Sequence, residues 1–350
     1  MNVEDERLTR LLGVQHPLVL GPMAGLSTPE LTAAVSNVGG LGSFGAGMMA
    51  PENIRKAIQA TKQLTRQPFA FNLFITPRPE VDRPALEAMN QRLDVYRQEL
   101  GIPHPHVERF APDFEEQFQA VLEEGVPVFS FTFGLLPEDK VRALKKRGTV
   151  VIGMGTCVRE ARALEEVGVD AVVAQGFEAG GHRATFLVPF EEAQVGLFAL
   201  VPQMAASVRI PVIASGGIMN GRGMLAAMLL GAAGAQLGSA FLGCPESSVS
   251  PAYRAALALA EDTSTTLTRA FSGRPARGIR NRFMAEVGSE GIPPYPLQNA
   301  LTRDIRDAAA KQGKADFLSL WAGQAVGMGT GKPAAEVATA IIEEFNVLRR

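Results

Sequence analysis

Short apolar runs alternate along this chain with stretches in which apolar residues recur at helical spacing. That rhythm predicts repeated strand–helix units around a parallel sheet. The first run, Pro17-Leu18-Val19-Leu20, ends in Gly21-Pro22-Met23-Ala24-Gly25. A helix is expected from about Thr28, with Ser27 or Thr28 as cap, Pro29 in its first turn and Glu30 at the positive end of its dipole. It stops at Gly39-Gly40, and Leu41 to Phe44 reads as the second strand, with Pro51 to Gln63 the second helix. Phe69 to Ile75 is the third strand, followed by a proline-studded insertion from Thr76 to about Asp113 with a helix near Pro84 to Leu100. Val128 to Phe133, Thr149 to Gly153, Asp170 to Gly176, Ile210 to Ala214 and Ala235 to Gly238 supply five more strands. Pro137 opens the helix after the fourth, Val158 to Val167 forms that after the fifth, and Gly223 to Leu230 that before the eighth.

Eight such units in about 240 residues match the length and count of an α/β (β/α)8 TIM barrel. A doubly wound open sheet is the competing architecture. It calls for a glycine-rich dinucleotide turn after the first strand, a pattern that Gly21 to Gly25 does not fit. After Gly243 the rhythm breaks. Ser247 to Asp262 reads as helical, Thr263 to Thr268 is β-branched, Ser272 to Arg282 is rich in Arg and Gly, and Gly291 to Pro296 resists regular structure. The expected organisation is a barrel of residues 1–244 plus 309–350. Residues 245–308 then form a small, mainly helical appendage near the barrel mouth.

Composition narrows the function. The 350 residues are 46% hydrophobic and 20% charged, with net charge −2, a balance without the basic footprint of a nucleic-acid or acidic-membrane binder. No run approaches the roughly 18 apolar residues of a membrane span. The polar opening Met1 to Arg7 lacks the pattern of a secretory signal. Cys157 and Cys244 are too few for a disulfide framework or zinc site, so a reduced, cytoplasmic protein is expected.

Barrel enzymes keep their chemistry at the C-terminal strand ends, often with a phosphate after strands seven and eight. Ser215-Gly216-Gly217-Ile218 and Gly238-Ser239 offer bare amides and hydroxyls there, each with a helix start close behind. Apart from Arg222 these loops carry no cation, so amides would hold the phosphate. Asn72, Gln175 and Gln236 are amides at the ends of otherwise apolar strands, able to donate and accept along the edge of a flavin, or to satisfy backbone in the core. Glu178-Ala179-Gly180-Gly181-His182-Arg183 carries an imidazole to the end of the sixth strand, where a catalytic base competes with a solvated or capping residue. Cys157, near a helix start, reads as a small apolar residue or a stabilised thiolate. His104-Pro105-His106 is a poor metal site, and Arg274, Arg277, Arg280 and Arg282 read by default as a solvated basic face. Phe44, Phe71, Phe131 and Phe133 either line an apolar cavity or fill the barrel.

Gly21 to Gly25, Ser27 to Ser36, Gly39 to Ser43 and the Glu178 to Arg183 loop resemble the class I nitronate monooxygenases, formerly the 2-nitropropane dioxygenases. Phe271 to Arg277 and Trp321 to Gln324 extend the likeness into the C-terminal part. The resemblance implies noncovalent FMN at the barrel mouth. Asn72, Gln175 and Gly180 would contact the flavin, Met23 would lie beneath it, and Gly217 with Gln236-Leu237-Gly238-Ser239 would hold the ribityl phosphate. His182 matches the family's catalytic histidine, while Ala184 stands where a glycine commonly follows the His-Arg pair.

The implied reaction oxidises an alkyl nitronate, such as propionate 3-nitronate, with O2 to a carbonyl compound and nitrite. His182 orients the anion when positively charged, or takes the α-proton of a neutral nitroalkane. The partners implied are a small-molecule substrate and O2, with no nucleic acid and no membrane; a homodimer is compatible with the pattern but not required by it. The alternatives are an FMN-dependent NAD(P)H:quinone or enoyl-acyl-carrier reductase, for which no nicotinamide motif is evident, and a noncatalytic flavin-binding sensor.

Overall fold

A computed structural model describes residues 5–76 and 79–350. Met1 to Glu4 of the polar opening, and Pro77 and Arg78 of the insertion, lie outside the described residues. Eight parallel strands form the barrel: β1 (Leu18–Leu20), β2 (Gly42–Gly45), β3 (Phe69–Phe74), β4 (Val128–Thr132), β5 (Val150–Gly155), β6 (Ala171–Gln175), β8 (Val212–Ser215) and β9 (Gly234–Leu237). Neighbouring strands pair in the order β1-β9-β8-β6-β5-β4-β3-β2, and a parallel bridge between Val19 and Leu41 closes the cylinder. The competing open sheet is thereby excluded. β7 (Gly181–His182) belongs to a second sheet with β10 (Thr265–Thr268) and β11 (Ala276–Ile279), all antiparallel.

Period two along each strand sorts its side chains between two cores. Leu18, Phe69, Phe71, Phe129, Phe131, Val172, Val212 and Leu237 point outward and pack under the helices. Val19, Ala70, Val128, Ile152, Ala171, Val173 and Ile213 point inward, where Leu8 and Leu12 of the helix Arg7–Leu12 join them. The helices are bounded as their local chemistry demands. Thr28 caps Pro29–Asn37 by accepting from the Leu31 amide at 3.0 Å. Ser27 is not the cap. Its hydroxyl accepts from the Met23 and Gly45 amides at 3.1 Å each, tying the first loop to the end of β2.

A second apolar cluster lies beside the barrel. Met89, Leu93, Tyr96 and Leu100 of the insertion pack there with Phe271, Phe283, Ile305, Ala309, Phe317 and Leu320. Helices Pro251–Ala258, Arg282–Val287, Leu297–Leu301 and Arg303–Gln312 build the C-terminal side of this cluster with β10 and β11. The helix Ala334–Leu348 packs instead among the barrel helices, through Val337, Ile341 and Phe345. No helix among the described residues is long and apolar enough to cross a membrane.

Candidate active site

Continuing the inward register by two residues explains the polar strand ends. The positions above Ala70, Val173, Ile213 and Gly234 are Asn72, Gln175, Ser215 and Gln236, and register sets Asn72 beside Ser130 and Ser215 between Gln175 and Gln236. Asn72 Nδ2 donates to Ser130 Oγ at 2.9 Å and Gln236 Nε2 to Ser215 Oγ at 3.3 Å. Gln175 is taken up by backbone: its Nε2 donates to the His182 carbonyl and its Oε1 accepts from the Ala184 amide, both at 2.9 Å. It thus clamps both sides of the turn that carries the histidine. Ala184 is fully buried at the top of the inner core.

These ends open into a cavity of about 470 Å³, within the usual range for small-molecule sites. Of the residues the sequence singled out, Met23, Asn72, Gln175, Gly180, His182, Gly217, Gln236, Gly238 and Ser239 line it. Leu237 does not. Strand alternation turns its side chain into the outer core, and its carbonyl accepts from the Gly21 amide at 2.8 Å. The amides of Gly216, Gly217 and Gly238 donate to no other protein group among the described residues. A Cβ on Gly238 would meet no protein atom within 4 Å, so this wall has room for a ligand group. Both observations suit a phosphate held by main-chain nitrogens. The helix start behind Gly217 contributes less than expected. Its first amides, Gly221 and Gly223, are already bonded to Glu344 and Asn220, and Arg222 faces solvent.

His182 lies not in a loop but on β7, paired with Ala276 of β11. Its Nε2 is 2.8 Å from Ser272 Oγ, which also lies 3.1 Å from the Arg274 carbonyl oxygen. When the hydroxyl donates to that carbonyl it accepts from Nε2–H, leaving Nδ1 as the basic nitrogen. Rings surround the imidazole: Trp321 at 5.3 Å, Phe133 and Tyr295 at 5.8 Å and Phe74 at 6.5 Å between centroids. Burial, then the positive charges of Arg274 and Arg306, push its pKa down to about 3. The imidazole is therefore neutral at ordinary pH. The expectation that a charged His182 orients an anion is corrected: Arg274 and Arg306 carry the positive charge.

The basic face is corrected as well. Arg277 is 4% exposed, and Arg274 donates to the carbonyls of Arg183 (2.9 Å) and Thr185 while its guanidinium lies 4.1 Å over the Phe133 ring. Only Arg280 and Arg282 face outward, Arg282 paired with Glu99 and Glu286. Arg303 and Arg306 line the cavity from the appendage. Arg306 uses Nε and Nη2 on Thr302 and Asn299. Sequence reasoning missed Ser272 and Tyr295 because they sit where periodicity fails, and Arg306 because nothing local shows that its helix, Arg303–Gln312, lies against the barrel mouth. The quoted segment Phe271 to Arg277 was the signal that contained the first.

Cys157 is no thiolate, since burial raises its pKa. His104 pairs with Asp94 at 2.9 Å. Of the four phenylalanines, Phe44, Phe71 and Phe131 fill the outer core, the first two stacked at 4.8 Å, whereas Phe133 lines the cavity. Phe133 has φ of 82°, a left-handed conformation that costs about 1–3 kcal/mol for such a side chain.

A family model described as nitronate monooxygenase matches residues 5–344. A probable nitronate monooxygenase of Staphylococcus aureus strain MSSA476 is 43% identical over 344 residues, covering 97% of both chains. A nitroalkane oxidase structure from Streptomyces ansochromogenes superposes with a TM-score of 0.91 at 38% identity, covering 98% of this chain and 99% of its own. FabK from Thermotoga maritima gives 0.77 at 34% identity, covering 98% and 96%.

Proposed function

Because this chain belongs to the nitronate monooxygenase family of flavin-dependent oxidoreductases, we propose that it binds FMN at the barrel mouth. It then oxidises small alkyl nitronates, propionate 3-nitronate among them, with O2 to a carbonyl compound and nitrite. The observation that carries this reading is one cavity holding a neutral imidazole, unbonded loop amides and two guanidiniums. FMN, when bound, supplies electron transfer between the organic substrate and O2.

The chain's own residues do the rest. The Gly217 and Gly238 amides and the Ser239 hydroxyl hold the phosphate, with Leu237 contributing backbone alone. Met23, Asn72, Gln175, Gly180 and Gln236 border the ring. Arg274 and Arg306 draw the anionic nitronate toward His182. For a neutral nitroalkane, His182 Nδ1 accepts the α-proton while Ser272 holds Nε2–H. The appendage supplies Tyr295 and Arg306 to the cavity at the barrel mouth. The expected boundary at 308/309 shifts, because the helix Arg303–Gln312 and Phe317 to Ala322 pack in the second cluster while Ala334–Leu348 returns to the barrel wall.

The test is anaerobic mixing of the purified yellow protein with propionate 3-nitronate or NADH. Flavin bleaching by nitronate alone supports the monooxygenase. Rapid bleaching by NADH and none by nitronate makes it a reductase; no turnover with nitronates, quinones or enoyl thioesters makes it a flavin-binding protein.

A further inference from the structure

We propose that Phe133 sets how large an alkyl group the reacting pocket accepts, a reading that rests on nitronates being the substrates. Phe133 is the one non-glycine residue with positive φ among the described residues. A glycine would take that conformation without strain. The chain instead places a large apolar ring there, at the point where β4 ends and the cavity begins.

The ring is 5% exposed and cannot swing aside. Arg274 covers it at 4.1 Å, Phe74 packs against it with centroids 4.5 Å apart, and Tyr295 meets it edge-on at 5.7 Å. Its remaining neighbour is the His182 ring, at 5.8 Å and 79°. A carbon placed for attack by that imidazole has its substituents beside Phe133. Phe74, Phe133 and the Tyr295 ring line the cavity together on this side. Strain at a cavity wall together with fixed packing marks a side chain retained for its shape.

The experiment compares holoenzyme with Phe133→Ala, Phe133→Gly and the more conservative Phe133→Leu. One readout is kcat/KM for ethyl against pentyl nitronate. The other is binding of straight-chain carboxylates, planar anions shaped like nitronates, followed by perturbation of the flavin spectrum. In Ala and Gly variants the pentyl-to-ethyl preference should rise on the order of tenfold or more, since one methylene in an apolar pocket is worth that much. Carboxylate affinity should shift toward longer chains by a similar factor, with Leu intermediate. Gly should melt above Ala, because only Gly relieves the strain. Unchanged chain-length profiles in all three variants would show that Phe133 merely fills space. Wild-type protein that binds carboxylates but oxidises no nitronate would overturn the substrate reading, and the carboxylate series would still decide the role of Phe133.

Discussion

Replacing Gln175 with methionine isolates what its amide does, because length and volume are kept while both hydrogen bonds vanish. Gln175 is 6% exposed and bonds the His182 carbonyl and the Ala184 amide at 2.9 Å each. Ala184 is fully buried, so its N–H loses its partner without gaining water, at a penalty of about 1–3 kcal/mol. Losing the second bond adds about 1 kcal/mol. The total, roughly 2–4 kcal/mol, should appear as reduced resistance to urea. The functional effect should be larger than the stability effect suggests. Freed from its clamp, the turn no longer fixes His182, and a displacement of about 1 Å can lower kcat on the order of a hundredfold. Flavin affinity, read by titrating apoprotein, separates this from a direct cofactor role: a clamp leaves it nearly unchanged. Combining Gln175→Met with His182→Asn should lower kcat no further than His182→Asn alone. Wild-type stability and kcat in Gln175→Met, or full additivity in the double variant, would refute the clamp.

His182→Asn should retain flavin, abolish turnover of neutral nitroalkanes and affect preformed nitronates less; equal activity on both substrate forms removes the imidazole from the mechanism. The folded protein keeps His182 neutral to about pH 3, whereas the unfolded chain protonates it near 6.5. The unfolded state therefore binds the extra proton between these values, and stability should fall as pH drops from 6.5 toward 3. Urea midpoints should show that slope weakened in His182→Asn. Gly238→Val, at a position whose φ of −105° tolerates any side chain, should fill the phosphate wall. FMN affinity should drop tenfold or more while riboflavin affinity changes little, and equal losses for both ligands would place the phosphate elsewhere. Arg306→Met should raise KM for nitronates roughly tenfold and move the acid limb of nitroalkane kcat/KM to higher pH, since one cation depressing His182 is gone.

The barrel was legible because each strand reports its own register. Inward and outward residues alternate, and an amide in an inward slot announces the end of the apolar column, as at Asn72, Gln175 and Gln236. Leu237 shows the limit of motif reading: it ends β9, where strand alternation turns its side chain away from the cavity that Gln236, Gly238 and Ser239 line. Arg274 and Arg277 were misjudged for another reason. Arginine is a surface residue by habit, and what makes Arg274 internal is a set of carbonyl partners 91 and 89 positions away in the chain. Such partners leave no mark on the local pattern. The pairing of His182 with β11 is equally nonlocal, so a residue that reads as loop becomes a strand held by the appendage.

The arginines also bear on which form of substrate the site suits. Arg183, Arg274, Arg277 and Arg306 are wholly or partly buried, and their hydrogen bonds go mainly to carbonyl oxygens, with no carboxylate among the described residues accepting from any of them. Burial lowers the pKa of each by more than the nearby carboxylates Glu160, Glu178, Asp304 and Asp307 raise it, though all stay charged at neutrality. Such an interior is held at some expense of stability and leaves a positive field at the cavity. In that field His182 is a feeble base. An entering anion offsets the field and raises the basicity of the imidazole; a neutral nitroalkane does neither. On the proposed reading the site therefore favours the preformed nitronate over its parent nitroalkane, through charge rather than shape.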